Sequence, residues 1–128
     1  MATLYEKEKV GLQYHMIKNL DLDEYLALWG VMVDNFGARL RGWLGRKELE
    51  FNEALIIIPC NMVHSLGMKI PTDIIFVGKN GEIIHLMEGM QPGKISPLVK
   101  KAHYVIELPA GKIKASATCI GHRILLER

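Results

Sequence analysis

The sequence predicts a mainly β fold, which we interpret as a small antiparallel β sandwich or barrel with one amphipathic helix (about residues 36–44) and a short second helix (about residues 112–118). Many short apolar and β-branched runs alternate with Pro, Gly and Asn turn signals. The Asn80-Gly81 pair between two such runs is the strongest hairpin signal in the chain. A continuous apolar run over residues 55–58 indicates a strand that is covered on both faces.

Turn residues divide the chain into short segments of strand character. After a polar leader over residues 1–10, apolar runs predict strands over residues 12–17 (an edge strand), 26–33, 55–58, 62–66, 73–77, 82–87, 104–108 and 123–126. Residues 88–101 contain two prolines and two glycines, so they are predicted to form a surface loop.

The segment after the second predicted strand has helical periodicity. Its apolar positions at helical spacing, after an Asp34-Asn35 cap and before a Gly45 C-cap, are Phe36, Leu40, Trp43 and Leu44. Three arginines lie mostly off this stripe: Arg39, Arg41 and Arg46. The simplest interpretation is that they are solvated or pair with Glu48, Glu50 and Glu53; the alternative is an anion site that includes Arg41.

Length and composition describe one globular domain. The chain has 128 residues, of which 49% are hydrophobic and 23% charged, a balance that excludes a disordered protein. We divide it into an N-terminal leader or edge segment, residues 1–25, and a single domain, residues 26–128. The formal net charge of +2 is too small to indicate a nucleic-acid partner.

Composition also bears on location. Glu6 and Glu8 occupy the N-terminal region and no apolar segment follows, so no signal peptide is expected. No apolar run approaches the roughly 20 residues that a membrane helix needs. Cys60 and Cys119 are too few for a disulfide framework. A soluble cytoplasmic protein is therefore expected.

The chemically most active stretch lies between residues 60 and 73, and its candidate site residues are Cys60, His64, Lys69 and Asp73. Cys60 and His64 could act as nucleophile and base, or as half of a soft metal site with Met68. Lys69 and Asp73 could bind a small polar ligand.

Each candidate also has a structural interpretation. Cys60 suits a small buried apolar position, and His64 a hydrogen-bonded position at a bend. Asp73 opens a buried strand, so its charge must be compensated. We expect it to cap the bend at residues 67–72, or to pair with Lys69 or Arg41.

No metal site is predicted, and the sequence does not identify a cofactor. The spacing Cys-x3-His-x3-Met matches no zinc motif, and the other histidines are scattered. A glycine-rich phosphate loop and a nucleophile elbow are both missing from the sequence.

Three blocks of the chain resemble the domain of unknown function 192 family, a group of small prokaryotic proteins. They are FGARLRGWLGR at residues 36–46, the most specific block at residues 60–81 with VHSLGMK and PTDIIF, and VIELPAG at residues 105–111, which Ile120-Gly121-His122 follows. The resemblance, over about residues 26–126, implies a compact, mostly β sandwich or barrel with one helix, and it implies no reaction. Trp43 replaces the family's usual Leu, and His122 its usual Asp.

Three functions are compatible with these residues. The leading hypothesis is a non-catalytic module that binds a ligand or partner near His64, Lys69 and Asp73. The alternatives are a hydrolase-like enzyme that uses Cys60 and His64, or Asp73, and an assembly accessory protein with an apolar surface at the methionines of residues 87 and 90.

Overall fold

One sheet of seven strands organises the chain. The structure is a computed structural model that describes residues 14–34, 43 and 45–128. Its elements are β1 (Tyr14–Asn19), β2 (Glu24–Val33), β3 (Glu53–Ile57), β4 (Thr72–Gly78), β5 (Ile83–Met90), β6 (Ala102–Pro109), α1 (Lys112–Ser116) and β7 (Ile124–Glu127). The predicted mainly β class and the short helix near residues 112–118 are confirmed.

The strands follow the order β5-β4-β6-β3-β2-β1-β7. Neighbours are antiparallel except β2 and β3, which run parallel from Trp29 opposite Glu53 to Val33 opposite Ile57. A parallel pair requires a crossover, and residues 34–52 provide it. The architecture is thus one mixed sheet where a sandwich or barrel of antiparallel strands was predicted.

The sheet does not close into a barrel, but backbone hydrogen bonds join its two edge strands at one end. The Ile83 N–H donates to the His122 carbonyl and the Gly121 N–H to the Ile83 carbonyl, each at 2.8 Å. The Ile124 N–H donates to the Gly81 carbonyl, also at 2.8 Å. The sheet must therefore curl, so that one face becomes an enclosed inner face and the other an outer face.

Gly81→Ala is expected to destabilise the protein by about 2–3 kcal/mol, because Gly81 has φ +83° and a Cβ there would lie 2.9 Å from the Ile124 carbonyl oxygen. Gly93→Ala is the matched control, since Gly93 has φ +79° but open space around the added Cβ. Urea unfolding should show the larger loss for Gly81→Ala. Equal losses would contradict a tight approach of the two edges.

Alternation along the strands produces two cores. In β4, Ile75 and Val77 face inward, whereas Ile74 and Phe76 face outward. The inner core, inside the curled sheet, comprises Ile17, Leu26, Ala27, Ala54, Ile56, Ile75, Val77, Ile83, Tyr104, Ile106, Leu108, Ile113 and Ile124. The outer core comprises Trp43, Leu55, Ile57, Val63, Met68, Ile74, Phe76, Met90 and Val105. Burial on both faces explains the continuous apolar run of β3.

Several predicted elements are placed differently. Strand β1 was expected at an edge, but it pairs with both β2 and β7. Residues 62–66 were predicted as a strand, yet the structure gives them a single bridge, between His64 and Ile95. The division proposed at residue 25 falls inside β2. The amphipathic helix predicted at residues 36–44, which includes Arg41, lies outside the described residues except for Trp43. The Trp43 side chain is buried in the outer core.

A buried ion pair fixes the approach to β3. Both oxygens of the Glu53 carboxylate accept hydrogen bonds from the Arg46 guanidinium, each at 2.8 Å. The Glu50 N–H also donates to Glu53 Oε2, at 2.8 Å. The Glu53 side chain is only 5% exposed. The predicted pairing of an arginine with Glu53 is confirmed for Arg46.

Candidate functional site

Asp73 is fully buried and binds three backbone N–H groups. Its Oδ1 accepts the Gly89 N–H at 2.8 Å, at an irregularity in the β4–β5 pairing. Its Oδ2 accepts the Gly111 N–H at 3.1 Å and the Ile113 N–H at 2.8 Å. Three donors compensate the desolvation of a carboxylate. Asp73 thus ties β5 and the start of α1 to β4, and its partners are neither Lys69 nor the bend at residues 67–72.

The other side of α1 is held by Lys112. Its Nζ donates to the Phe51 carbonyl at 3.1 Å and lies 3.3 Å from the centroid of the Phe51 ring. Burial lowers the pKa of this lysine. Both flanks of the α1 N-terminus therefore have a structural function.

Two irregular segments, residues 60–69 and 91–99, form a pair that we call the outer ribbon. The Val99 N–H donates to the Asn61 carbonyl at 2.9 Å, and the Ser65 N–H to the Lys94 carbonyl at 2.8 Å. Ser96 exchanges two bonds with Val63, one through its backbone N–H and one through its hydroxyl. The ribbon is thereby held in a defined antiparallel arrangement.

Side chains of the outer ribbon alternate between the protein and solvent. Val63 and Met68 enter the outer core. Large apolar side chains on the ribbon that are exposed by 44–65% are Met62, Leu66, Ile95 and Leu98. His64 lies between the first two and opposite the third. The ribbon therefore presents an apolar outer surface with a half-buried imidazole at its centre.

Cys60 and His64 each make a local contact with the backbone. The Cys60 thiol donates to the Met62 carbonyl at 3.2 Å. His64 Nδ1 accepts the Leu66 N–H at 3.2 Å. The contact of His64 agrees with the hydrogen-bonded position expected for it, whereas Cys60 is only partly buried and its thiol is hydrogen-bonded, which differs from the buried apolar position expected.

The structure separates Asp73 from the other three predicted site residues. Asp73 faces the inner core and α1, whereas His64 belongs to the ribbon that covers the outer core. The Cys60 N–H donates to the His103 carbonyl near the start of β6, while Asp73 pairs with Leu108 near its end. Five strand residues correspond to about 17 Å. Cys60, His64 and the exposed Lys69 all belong to the outer ribbon, whereas Asp73 does not.

Two buried serines that were not among the predicted site residues shape the ribbon. Ser65 Oγ donates to the Gln91 carbonyl at 2.6 Å and accepts the Lys94 N–H at 2.9 Å. Ser96 Oγ accepts the Val63 N–H at 2.9 Å. Pro92 and Pro97 lack an N–H, so hydroxyl groups supply bonds that a regular ladder would make. No signal in the sequence distinguishes these serines from ordinary loop residues.

The histidine that departs from the family pattern acts as a hydrogen-bond acceptor. His122 Nδ1 lies 3.1 Å from the Cys119 backbone nitrogen and 3.1 Å from Asn19 Nδ2. The side-chain oxygen of Asn19 accepts two backbone N–H groups, which fixes its amide nitrogen toward His122 and Thr118. Both neighbours of Nδ1 are donors, so the ring proton lies on Nε2. An aspartate oxygen would meet the same requirement.

Across residues 14–34, 43 and 45–128, no three His, Cys, Asp or Glu side chains form a group that could hold a metal ion. No helix in this described part is long and apolar enough to cross a membrane.

The apolar surface expected at the methionines of residues 87 and 90 is not present, because Met90 is buried and Met87 packs on the outer core.

Fold and site together define a small mainly β domain whose reactive side chains mostly have structural partners. The model of the DUF192 family, described as an uncharacterized ACR, matches residues 26–126. The chain belongs to this family, as the three sequence blocks predicted. It is 29% identical to a UPF0127 protein of Pyrococcus furiosus over 96 residues. The matched region covers 71% of this chain and 80% of that protein.

Two solved structures share the fold. A protein of unknown function from Novosphingobium aromaticivorans has a TM-score of 0.74 at 17% identity, over 89% of this chain and 84% of that one. A candidate transcription regulator from Sinorhizobium meliloti has a TM-score of 0.76 at 18% identity, over 90% of this chain and 95% of that one. At these identities the likeness concerns the fold alone.

Proposed function

We propose that this protein is a non-catalytic binding module that recognises a polypeptide partner through the outer ribbon. The observation that carries the proposal is the exposure of four large apolar side chains, Met62, Leu66, Ile95 and Leu98, on one ordered surface. Contiguous exposed apolar surface is a marker of interaction sites. Backbone and serine hydrogen bonds hold the ribbon in place, which limits the entropy lost on binding.

The charged residues of the outer ribbon indicate the chemistry of the partner. Residues 60–69 and 91–99 contain Lys69 and Lys94, both exposed, and no aspartate or glutamate. A partner segment with apolar side chains beside acidic residues complements this surface. A symmetric dimer through the ribbon would bring like charges together, because a two-fold interface sets the same patch against itself. His64 and Lys69 are thus retained as binding residues, and Asp73 as a support of the fold. The cytoplasmic location stays a prediction.

The test combines a photo-cross-linking amino acid at Leu66 with matched charge substitutions. Ile95→Asp changes the ribbon, and Ile120→Asp is the control, since Ile95 and Ile120 are exposed by 65% and 60%. The partner that is cross-linked is identified by mass spectrometry. The purified partner is then titrated against the wild-type protein, Ile95→Asp and Ile120→Asp. We expect an acidic, apolar segment in the partner, a Kd at least tenfold weaker for Ile95→Asp, and an unchanged Kd for Ile120→Asp.

Three results would overturn the proposal. A cross-linked dimer of this chain would show self-association, and cross-links confined to lipid would show a membrane surface. Equal loss of affinity in Ile95→Asp and Ile120→Asp would place the contact elsewhere. Thermal unfolding of each variant establishes beforehand that all of them are folded.

A further inference from the structure

A groove of about 630 Å³ lies outside the outer ribbon, between the β4–β5 turn and the start of β6. Its polar walls are Lys79, Asn80 and Glu82 on one side, and Lys100 and Lys101 on the other. Its apolar surface comes from Ile84 and Ala102. We call it the lysine groove. Its volume lies in the range of about 300–1,000 Å³ that is typical of small-molecule sites.

The end of the β4–β6 ladder places lysines on both sides of the groove. Gly78 pairs with Ala102 at the last position of the ladder. Lys79 follows Gly78 and Lys101 precedes Ala102, and both lysines line the groove together with Lys100. Ammonium groups that line one groove repel each other, and an anion between them would remove this repulsion.

The protein itself does not neutralise this charge. Within the part of the chain that the structure describes, Lys79, Lys100 and Lys101 take part in no ion pair. Glu82 is the one carboxylate in the groove wall. Asn80 uses its side-chain oxygen to accept the Glu82 N–H at 3.1 Å, which leaves its amide nitrogen as a donor. The groove thus offers cationic and neutral donors to a ligand of negative charge.

The residues of the groove walls also narrow the chemical class of the ligand. None of the groove residues is aromatic, so the stacking platforms of single-stranded nucleic-acid sites are missing from it. Lysine ammonium groups act as point charges that bind phosphate. We propose that the lysine groove binds a small phosphorylated molecule that carries at least two negative charges. This site is separate from the outer ribbon and does not depend on the proposed partner.

The test is a titration with inorganic pyrophosphate, followed by backbone amide NMR shifts at 150 mM salt. We expect the shifts to concentrate at residues 78–84 and 100–102, and the Kd to weaken at least tenfold in the Lys79→Gln, Lys101→Gln double variant. The control is Lys47→Gln with Lys114→Gln, which removes the same charge at two exposed lysines outside the groove. Its Kd is expected to stay unchanged.

Four outcomes would overturn this proposal. Equal weakening in both double variants would show unspecific attraction to net charge, and shifts spread over the surface would show the same. A missing response to pyrophosphate would remove the site. Binding to vesicles that contain phosphatidylglycerol, without any response to pyrophosphate, would assign the lysines to a lipid surface instead.

Discussion

Asp73→Ala is expected to lower the free energy of unfolding by about 3–5 kcal/mol, the largest effect of any single polar substitution in this domain. The change leaves the N–H groups of Gly89, Gly111 and Ile113 without their acceptor. It also opens a small cavity between β4 and α1. Urea unfolding monitored by circular dichroism measures the loss.

Two comparisons separate the hydrogen bonds of Asp73 from its charge. Asp73→Asn keeps one acceptor oxygen and replaces the other with a donor, so we expect it to lie between wild type and Asp73→Ala. Asp23→Asn is the control, because Asp23 is exposed, its ion pair with Lys18, at 2.8 Å, lies at the surface, and Asn tolerates the φ of +52° at this position. Such a pair contributes little to stability, because water and salt screen both charges. A similar small loss for Asp73→Ala would contradict the assigned bonds.

Arg46→Met is expected to destabilise the protein by about 2–4 kcal/mol, because it removes the guanidinium but leaves the Glu53 carboxylate buried. Two hydrogen bonds of 2.8 Å are lost at once. Methionine retains most of the apolar stem, so the loss reports the charge and not the packing. Chemical denaturation at neutral pH gives the value.

A double substitution tests whether the two residues act as a pair. Arg46→Met with Glu53→Met is expected to be more stable than Arg46→Met alone, because no buried charge then remains. Lys18→Met breaks the surface pair with Asp23 and is the control for loss of a positive charge. If the destabilisation of the double variant equalled the sum of the destabilisations of Arg46→Met and Glu53→Met, the two side chains would not be coupled.

Local chemistry allowed most of the fold to be predicted. The Asn80-Gly81 turn appears where expected, with the Gly81 N–H donating to the Gly78 carbonyl at 3.0 Å. The continuous apolar run at residues 55–58 corresponds to β3, which is buried on both faces. These features depend on neighbouring residues alone, so one sequence is enough to reveal them.

Features set by distant segments could not be predicted. The parallel pairing of β2 with β3 depends on a crossover, and nothing in either strand specifies its direction. The position of Asp73 in a strand predicted that its side chain is buried and that its charge must be compensated. Its donors did not, because they lie 16, 38 and 40 residues away along the chain.

The candidate site shows the same limit. The candidate residues Cys60, His64, Lys69 and Asp73 lie within one short stretch of sequence, but closeness in sequence cannot show that Asp73 lies on the opposite side of the sheet. The apolar ribbon was divided in the sequence between a predicted strand and a predicted loop. Its surface exists only because residues 91–99 return alongside residues 60–69.

Strand β7 has a consequence for the solubility of the domain. It covers the outer edge of β1, and the residues that lead into it pair with Gly81 and Ile83. A chain without residues 121–128 would expose the unpaired backbone groups of two strands at once, beside the apolar inner core. Such edges template pairing with other chains. This four-residue strand therefore protects the domain against aggregation.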